Sequence, residues 1–357
     1  MSQKMLGYIN EENALIRRLV RDRKALAAPF VAAFGDKATK RIFFVGSGSS
    51  QNVGHMAQPF VERAMHVETS VLVPSRMPDA GILEDGEALY VLISQGGKST
   101  NTIKAVEQAG IEKDQIISIT ENSASPIAKI SRLTFKLPWD EAEAVGAKTK
   151  GVTCSVTIAM LLFLELALAQ NRIDQAFYDQ TLAALNRFCL FHAENIARIL
   201  QWYEANREEM AASECMLVLA QQEFLGAGME SALKLLETIH RPVFAYEFEE
   251  YLHGVANTLS SRSYMLFMMP GGDKRERSRR LFDFAVEKGA RCFAINVGDE
   301  DATVRAVNLL PSGSRYVDVL TYLLPGQILS AQLSEFCGID VDKPQFPGFS
   351  AMMGTKA

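Results

Sequence analysis

The sequence predicts an α/β protein of two similar domains, each a doubly wound parallel sheet with helices on both faces. Three observations carry this prediction. The 357 residues suffice for roughly two domains, each large enough to bury a core. Short apolar runs alternate with polar loops and amphipathic stretches, in the order strand, loop, helix. The same pattern restarts shortly after residue 200, so the second half resembles a diverged copy of the first.

The first half opens with residues 1–38, where apolar side chains recur at helical spacing and predict an N-terminal helical segment. The predicted strands that follow lie at residues 41–45, 67–73, 88–93, 115–120 and 133–137. Helices are predicted between them, at residues 53–64 and 102–109. This order indicates right-handed βαβ units and therefore a parallel sheet covered by helices.

Residues 152–169, VTCSVTIAMLLFLELALA, are the most apolar run and approach the length of a membrane span. Glu165 and several hydroxyl residues interrupt the run, and a carboxylate is costly in lipid, so we predict a buried core helix instead. A long helix at residues 173–210 follows. The second half then contains predicted strands at residues 215–220, 242–246, 263–269 and 292–296, with helices at 229–240 and 277–288. We place the domains at residues 39–200 and 201–345, with a C-terminal tail at 346–357.

Composition excludes several classes of function. The net charge of −5 argues against a nucleic-acid or anionic-membrane partner, because both need a concentrated excess of Lys and Arg. The one basic cluster, residues 274–280, is interrupted by Glu276 and predicts an exposed helix start. The five cysteines are scattered without a C-x-x-C pair, and no signal-peptide layout opens the chain. We therefore expect a soluble cytoplasmic protein with reduced thiols.

Two loops follow predicted strands and are rich in serine and glycine: GSGSS at residues 46–50 and SQGGKST at residues 94–100. Such loops at the carboxyl ends of parallel strands bring backbone N–H groups and hydroxyls to an anion, which predicts a phosphate site. Neither loop matches a Walker A sequence, and Gln51 stands where a dinucleotide fingerprint ends in glycine. Two ordinary Ser/Gly turns remain the alternative.

A third feature is the segment from Gly228 to His253. Glu230, Lys234 and Glu237 stand at i, i+4 and i+7, so a helix presents them on one face, and His253 follows among several carboxylates. Carboxylate, ammonium and imidazole together could supply a general base and a general acid. The spacing alone equally suits an exposed helix face with ion pairs.

These motifs together resemble the sugar isomerase (SIS) family, over nearly the whole chain. The comparison that fits best is the isomerase half of glucosamine-6-phosphate synthase, which implies two tandem SIS domains with a flavodoxin-like, three-layer αβα fold. The resemblance implies a catalytic glutamate at Glu237 and a catalytic histidine at His253. It implies phosphate binding by Ser49, Ser50, Ser94, Gln95 and Ser99, and substrate contacts from Gly48, Lys148, Glu230 and Lys234.

The departures from the synthase indicate a different substrate. The chain enters the SIS part directly, without the glutaminase domain. Its G-x-D-V-D-x-P motif ends at Pro344, and Phe349 stands where the synthase has its Schiff-base lysine; Lys356 lies farther on. Lys148 and Gly96 replace serines of the synthase loops.

A stand-alone tandem SIS protein without that lysine resembles the bacterial deglycases that split phosphorylated Amadori compounds, such as fructoselysine-6-phosphate, into glucose-6-phosphate and an amine. The resemblance implies acid-base chemistry without cofactor or metal, a sugar phosphate as ligand, and a homodimer or higher oligomer with shared active sites near the tail. A phosphosugar aldose–ketose isomerase, an amino-sugar-phosphate deaminase and a non-catalytic sugar-phosphate sensor are the alternatives.

Overall fold

The fold was analysed in a computed structural model that describes residues 2–77, 87–139, 143, 146–272, 274–298 and 303–355. Contacts divide the chain into two compact units. The first-sheet unit comprises residues 14–144, 150–182 and 344–357, and the second-sheet unit comprises residues 1–13, 145–149 and 183–343. The segment around Lys148, residues 145–150, is described only from residue 146 onward, and Lys356 lies outside the described residues.

Helices and strands of the first half follow the predicted order. They are α1 (Ser2–Phe34), β1 (Arg41–Val45), α2 (Ser49–Met65), β2 (Glu68–Leu72), β3 (Ala88–Ile93), α3 (Thr100–Gln108), β4 (Ile116–Thr120), α4 (Pro126–Ile130), β5 (Leu133–Lys136) and α5 (Lys150–Ala169). The five strands form one parallel sheet in the order β2-β1-β3-β4-β5. Every residue of β3 is buried, as its continuous apolar run requires of a central strand covered on both faces.

The second half repeats this plan. Its elements are α6 (Gln175–Ala211), β6 (Met216–Ala220), α7 (Leu225–Ile239), β7 (Val243–Glu247), α8 (Phe248–Leu252), β8 (Tyr264–Met269), α9 (Lys274–Glu287), β9 (Arg291–Val297), β10 (Ala306–Leu309), α10 (Asp318–Phe336) and α11 (Phe349–Met352). The second sheet has the order β10-β9-β8-β6-β7. Read from β7 and renumbered so that β6 is the first strand, this is the strand order of the first sheet. Two tandem doubly wound, flavodoxin-like sheets are therefore confirmed.

Helix α5 is the apolar run that approaches the length of a membrane span. In the described part of the chain it is the only helix long and apolar enough to cross a membrane, and 83% of its most apolar window is buried inside the protein. The prediction of a core helix is confirmed. Glu165, the carboxylate that argued against a membrane span, accepts a hydrogen bond from the Tyr178 hydroxyl at 2.5 Å and pairs with Arg23 at 3.2 Å.

Each sheet has one point where the chain changes direction across it. In the first sheet, β1 pairs with β2 on one side and β3 on the other, in a register that matches Val45 with both Leu72 and Leu92. In the second sheet, β6 lies between β7 and β8 in the same way. Ligands of doubly wound folds bind beyond the carboxyl ends of the strands at such a switch point. The loops after β1 and β3 are the two serine-rich loops of the sequence.

Candidate functional site

The first serine loop is a tight turn between β1 and α2. A Cβ atom on Gly46 would lie 2.7 Å from the Cβ of Ser50, so this position accepts only glycine without a shift of the backbone. Gly48 has φ 57°, in the left-handed region that favours glycine. Ser49 and Ser50 are the first two residues of the 17-residue helix α2, half buried at its N-terminus. Backbone N–H groups at this end of a long helix attract anions.

The second serine loop follows β3. Ser94 is buried, and its N–H donates to the Ile119 carbonyl at 3.2 Å, which holds the loop against β4. Gly97 has φ 66°, and a Cβ there would lie 2.2 Å from the Ser125 hydroxyl. Ser99 occupies the N-cap position of α3. The loop is therefore built like the first one, with serines at the start of a helix.

The structure brings these two loops together. Because β1 and β3 are neighbours, their loops leave the same edge of the sheet side by side. The Asn101 side-chain amide donates to the Ser47 hydroxyl at 3.0 Å, and the Ser99 hydroxyl donates to the Asn101 carbonyl oxygen at 2.6 Å. Sequence reasoning missed both Ser47 and Asn101. Their only signal was their position within, or one residue after, the predicted loops.

Gln95 plays a different part from the one predicted for its side chain. Its amide nitrogen donates to the Glu143 carboxylate at 3.1 Å and to the Glu121 carboxylate at 3.3 Å. Glu143, itself buried, also accepts from the Gly151 N–H at the start of α5 at 3.3 Å. Any phosphate contact from Gln95 in this arrangement is left to its backbone N–H. The side chain ties the second loop to the start of α5.

The C-terminal tail reaches the second loop. The Thr100 hydroxyl donates to the Gly354 carbonyl at 2.7 Å, so the end of the described tail rests on the first turn of α3. Phe349, at the position of the synthase's Schiff-base lysine, begins the short helix α11 and is 52% exposed.

In the second-sheet unit, α7 carries Glu230, Lys234 and Glu237. The Lys234 ammonium lies 2.5 Å from a Glu237 oxygen and 3.6 Å from a Glu230 oxygen. Glu230 and Lys234 are almost completely buried, while the Glu237 side chain is 38% exposed. The exposed-face interpretation is therefore wrong for the first two residues. Lys234 bridges two carboxylates and holds Glu237, the accessible one, in place.

Helix α10 produces this burial by packing closely on α7. A Cβ on Gly326 of α10 would lie 2.1 Å from the Ser231 hydroxyl and 2.7 Å from its Cα. Because Gly326 has no Cβ, the backbones of α7 and α10 can lie closer together than any larger residue would allow. Such an approach excludes water from Glu230 and Lys234.

His253 ends α8 and is exposed, and its N–H donates to the Glu250 carbonyl at 3.2 Å. The carboxylates near it have separate tasks. Glu247 caps α8 by accepting from the N–H groups of Glu249 at 2.6 Å and Glu250 at 3.2 Å, and the Glu249 carboxylate pairs with Arg277 at 2.9 Å. Two of the three carboxylates near His253, those of Glu247 and Glu249, are therefore engaged in the protein's own contacts.

Lys148 is half buried in the segment at residues 146–149, which belongs to the second-sheet unit. The Gln327 amide of α10 donates to the Thr149 carbonyl at 3.3 Å, and Ala147 packs in a small cluster with Met5 and Ala331. The backbone on both sides of Lys148 is thus held by α10. The same helix packs against α7, which carries Glu230 and Lys234.

The sequence of this chain is similar to those of known proteins. Residues 37–165 match the SIS domain family. The glutamine–fructose-6-phosphate aminotransferase of Haemophilus ducreyi is 23% identical over 310 residues, which cover 86% of this chain and 50% of that protein. The Pseudomonas aeruginosa protein of the same name is 24% identical, covering 96% of this chain and 57% of its own length. The chain thus spans about half the length of these curated relatives.

Solved structures agree with this match. A Clostridium difficile protein described as a presumed phosphosugar isomerase has a TM-score of 0.88 and 26% identity, covering 99% of both chains. The C-terminal domain of glucosamine-fructose-6-phosphate aminotransferase from Francisella tularensis has a TM-score of 0.83 and 20% identity, covering 96% of this chain and 98% of that domain. At that identity the second match shows the fold alone.

Proposed function

We propose that this chain, in which residues 37–165 match the SIS domain family, is a phosphosugar-converting enzyme, specifically a deglycase of phosphorylated Amadori compounds. Its substrate is a fructosamine-6-phosphate, such as fructoselysine-6-phosphate, and its products are glucose-6-phosphate and the free amine. The observation that carries the proposal is the half-exposed carboxylate of Glu237, held at 2.5 Å by the buried ammonium of Lys234.

The phosphate group binds at the serine loops. Ser49, Ser50, Ser94 and Ser99 supply hydroxyls, and the first turns of α2 and α3 supply backbone N–H groups. Hydroxyl and N–H donors around one anion fix the substrate without adding formal charge. Holding the phosphate positions the carbons at the far end of the open-chain sugar, and correct positioning is a large part of the rate enhancement.

Proton transfer then converts the ketosamine. Glu237 removes a proton from C1, and His253 donates one to O2, which gives an enaminol. Return of a proton to C2 produces the C1 imine of glucose-6-phosphate. Water adds to that imine at C1 and the amine leaves with a proton, so atoms and charge balance. Lys234 orients Glu237 and forms no covalent bond.

Phe349 favours a substrate that already contains nitrogen. The resemblance to the synthase puts a Schiff-base lysine at this position, and Phe349 cannot form an imine. A ketosamine carries its own nitrogen on C1 and needs no enzyme amine. The tail, anchored at Gly354 to Thr100, belongs to this site in our proposal.

Direct assay distinguishes this function from its relatives. The protein is incubated separately with fructoselysine-6-phosphate, glucoselysine-6-phosphate and glucosamine-6-phosphate, and glucose-6-phosphate and free amine are measured. We expect release of both products from the first substrate. Conversion of glucosamine-6-phosphate alone would identify an amino-sugar-phosphate deaminase, and turnover of none of the three would refute the deglycase.

A further inference from the structure

Ser99 begins α3 in an unusual way. A serine at the N-cap of a helix normally accepts a hydrogen bond from the backbone N–H two or three residues on. The Ser99 side chain makes no such bond, although α3 is nine residues long and has N–H groups to satisfy at this end. Its hydroxyl instead donates to the Asn101 carbonyl oxygen at 2.6 Å and accepts from the Thr102 hydroxyl at 3.0 Å.

Asn101 performs the missing capping. Its side-chain oxygen accepts from the Thr102 N–H at 2.9 Å, and this N–H is the one that the N-cap serine would otherwise satisfy. The other end of the same amide donates to the Ser47 hydroxyl of the first loop at 3.0 Å. One exposed side chain therefore caps α3, orients Ser99 and joins the two serine loops.

We propose that Asn101 is a positioning residue for anion binding at these loops. By capping α3, it relieves the Ser99 hydroxyl of that task, so that a bound phosphate has only to replace Asn101 as the acceptor of the Ser99 hydroxyl proton. By donating to Ser47, it sets the spacing of the two loops that share the anion. This inference rests on the phosphate site of the proposed function and adds to it a residue that does not itself bind the sugar.

The neutral amide is the side chain that this position requires. An aspartate could accept from the Ser99 hydroxyl and the Thr102 N–H equally well, and it caps helices as effectively as asparagine. It could not donate to Ser47, and its negative charge would lie within a site that binds a negative ligand. The Asn101→Asp variant therefore separates helix capping from anion binding.

The experiment measures dissociation constants for inorganic phosphate and glucose-6-phosphate by calorimetry on the full chain, together with the Tm of each variant. We expect Asn101→Ala to weaken binding about tenfold, because two hydrogen bonds that organise the site are lost. Asn101→Asp should keep the wild-type Tm or exceed it, yet bind both anions at least as weakly as Asn101→Ala. If the deglycase activity exists, KM should rise in both variants with little change in kcat.

Asp174→Ala is the matched control. Asp174, the residue before α6, accepts from the Phe177 N–H at 2.8 Å; this is the third N–H of its helix, as the Thr102 N–H is of α3, and it lies within the same unit. We expect this variant to lose Tm as Asn101→Ala does and to bind phosphate like the wild type. Equal loss of affinity in both variants would assign the effect to stability and overturn the proposal.

Two further results would also overturn it: wild-type affinity in Asn101→Asp, or a wild-type protein that binds neither anion. Failure of the deglycase assay leaves this test intact, because anion binding is measured without turnover. Conversely, if the protein cleaves fructoselysine-6-phosphate while its anion affinity is unchanged by Asn101 substitutions, the proposed function stands and this inference is wrong.

Discussion

At the scale of single residues, the buried ammonium of Lys234 forms ion pairs with two carboxylates, those of Glu230 and Glu237. We expect Lys234→Met to reduce the free energy of unfolding by about 3 kcal/mol, because it leaves the buried Glu230 carboxylate without its cation. Urea unfolding measures the loss. The double variant Glu230→Gln/Lys234→Met removes both charges and should recover part of it. A double variant less stable than Lys234→Met would show that the two charges do not depend on each other.

Glu237 has a predicted chemical role that can be separated from binding. We expect Glu237→Gln to lower the turnover of fructoselysine-6-phosphate by about a thousandfold, since the amide cannot accept the C1 proton. Its affinity for glucose-6-phosphate should stay within a few-fold of wild type because the serine loops are unchanged. Steady-state kinetics and calorimetry check the two parts. Turnover near the wild-type rate would remove Glu237 as the base.

His55 makes the stability of the first-sheet unit sensitive to acid. Burial lowers the pKa of this imidazole on α2 below its ordinary value of 6.5. The folded state therefore binds the proton less tightly than the unfolded state, and stability is lost as pH falls below about 6.5. Urea unfolding at several pH values should show a flatter profile for His55→Gln than for wild type. Identical profiles would contradict a half-buried His55 whose pKa is lowered in the folded state.

At the scale of elements, the packing of α7 on α10 depends on a single missing methyl group. We expect Gly326→Ala to cost about 2–3 kcal/mol of unfolding free energy, because the new Cβ meets the Ser231 backbone and the helices must separate. Gly7→Ala is the matched control. Gly7 lies in α1 with nothing within 4 Å of a new Cβ, so there the same change should stabilise by about 0.5–1 kcal/mol. Equal changes in unfolding free energy in both variants would mean that α10 can shift to accommodate the methyl group at little cost.

The elements also show how far sequence reasoning reaches. Nine strands were predicted to within about two residues, because continuous apolar runs of β-type residues identify buried parallel strands. The four-residue β10 was missed: Asn308 interrupts its apolar pattern, and its amide oxygen accepts from Asn296. Helix α10 was also missed. It contains Pro325 and Gly326, which normally mark a helix end, and the close approach to Ser231 of α7 explains the glycine.

The same limit applies to the site. The serines were identified because hydroxyl-rich loops after strands are typical of phosphate sites. Asn101 was missed because its hydrogen bond to Ser47 depends on two strands being neighbours, and its other two depend on the local turn that begins α3. The capping role of Glu247 is local, yet the sequence did not distinguish it from the other carboxylates near His253. Residue types can thus be predicted from sequence, whereas their partners depend on the fold.

At the scale of the whole molecule, two copies of one topology carry different side chains at their switch points. Both sheets have the same strand order and the same switch point. The first carries two serine loops there. The corresponding loop after β8 reads Pro-Gly-Gly-Asp-Lys, at residues 270–274, and holds no hydroxyl. The second-sheet unit instead carries the acid-base candidates on α7 and α8. In the proposed function, the first sheet therefore binds the anion and the second carries the residues that transfer protons.

In our proposal the assembly is a homodimer. Each of its active sites takes Glu237 from one subunit and His253 from the other. Glu237→Gln and His253→Ala homodimers should each be inactive. When the two are unfolded together and refolded, half of the dimers are hybrids, and each hybrid contains one site with both wild-type residues. We therefore expect recovery of about a quarter of the wild-type activity, as the two-fold symmetry of a shared site requires.

In the control, each variant is refolded by itself and the two are then mixed under conditions where subunits do not exchange. This mixture should remain inactive. The double variant Glu237→Gln/His253→Ala, refolded with wild type, gives a second test. Its hybrids contain only half-mutated sites, so activity should fall to about a quarter, where unshared sites would retain about half. Absence of recovery in the first mixture, with hybrids demonstrated by mass, would place both residues in one subunit's site. Glu237 could then still act as the base, but the dimer would no longer be required for catalysis.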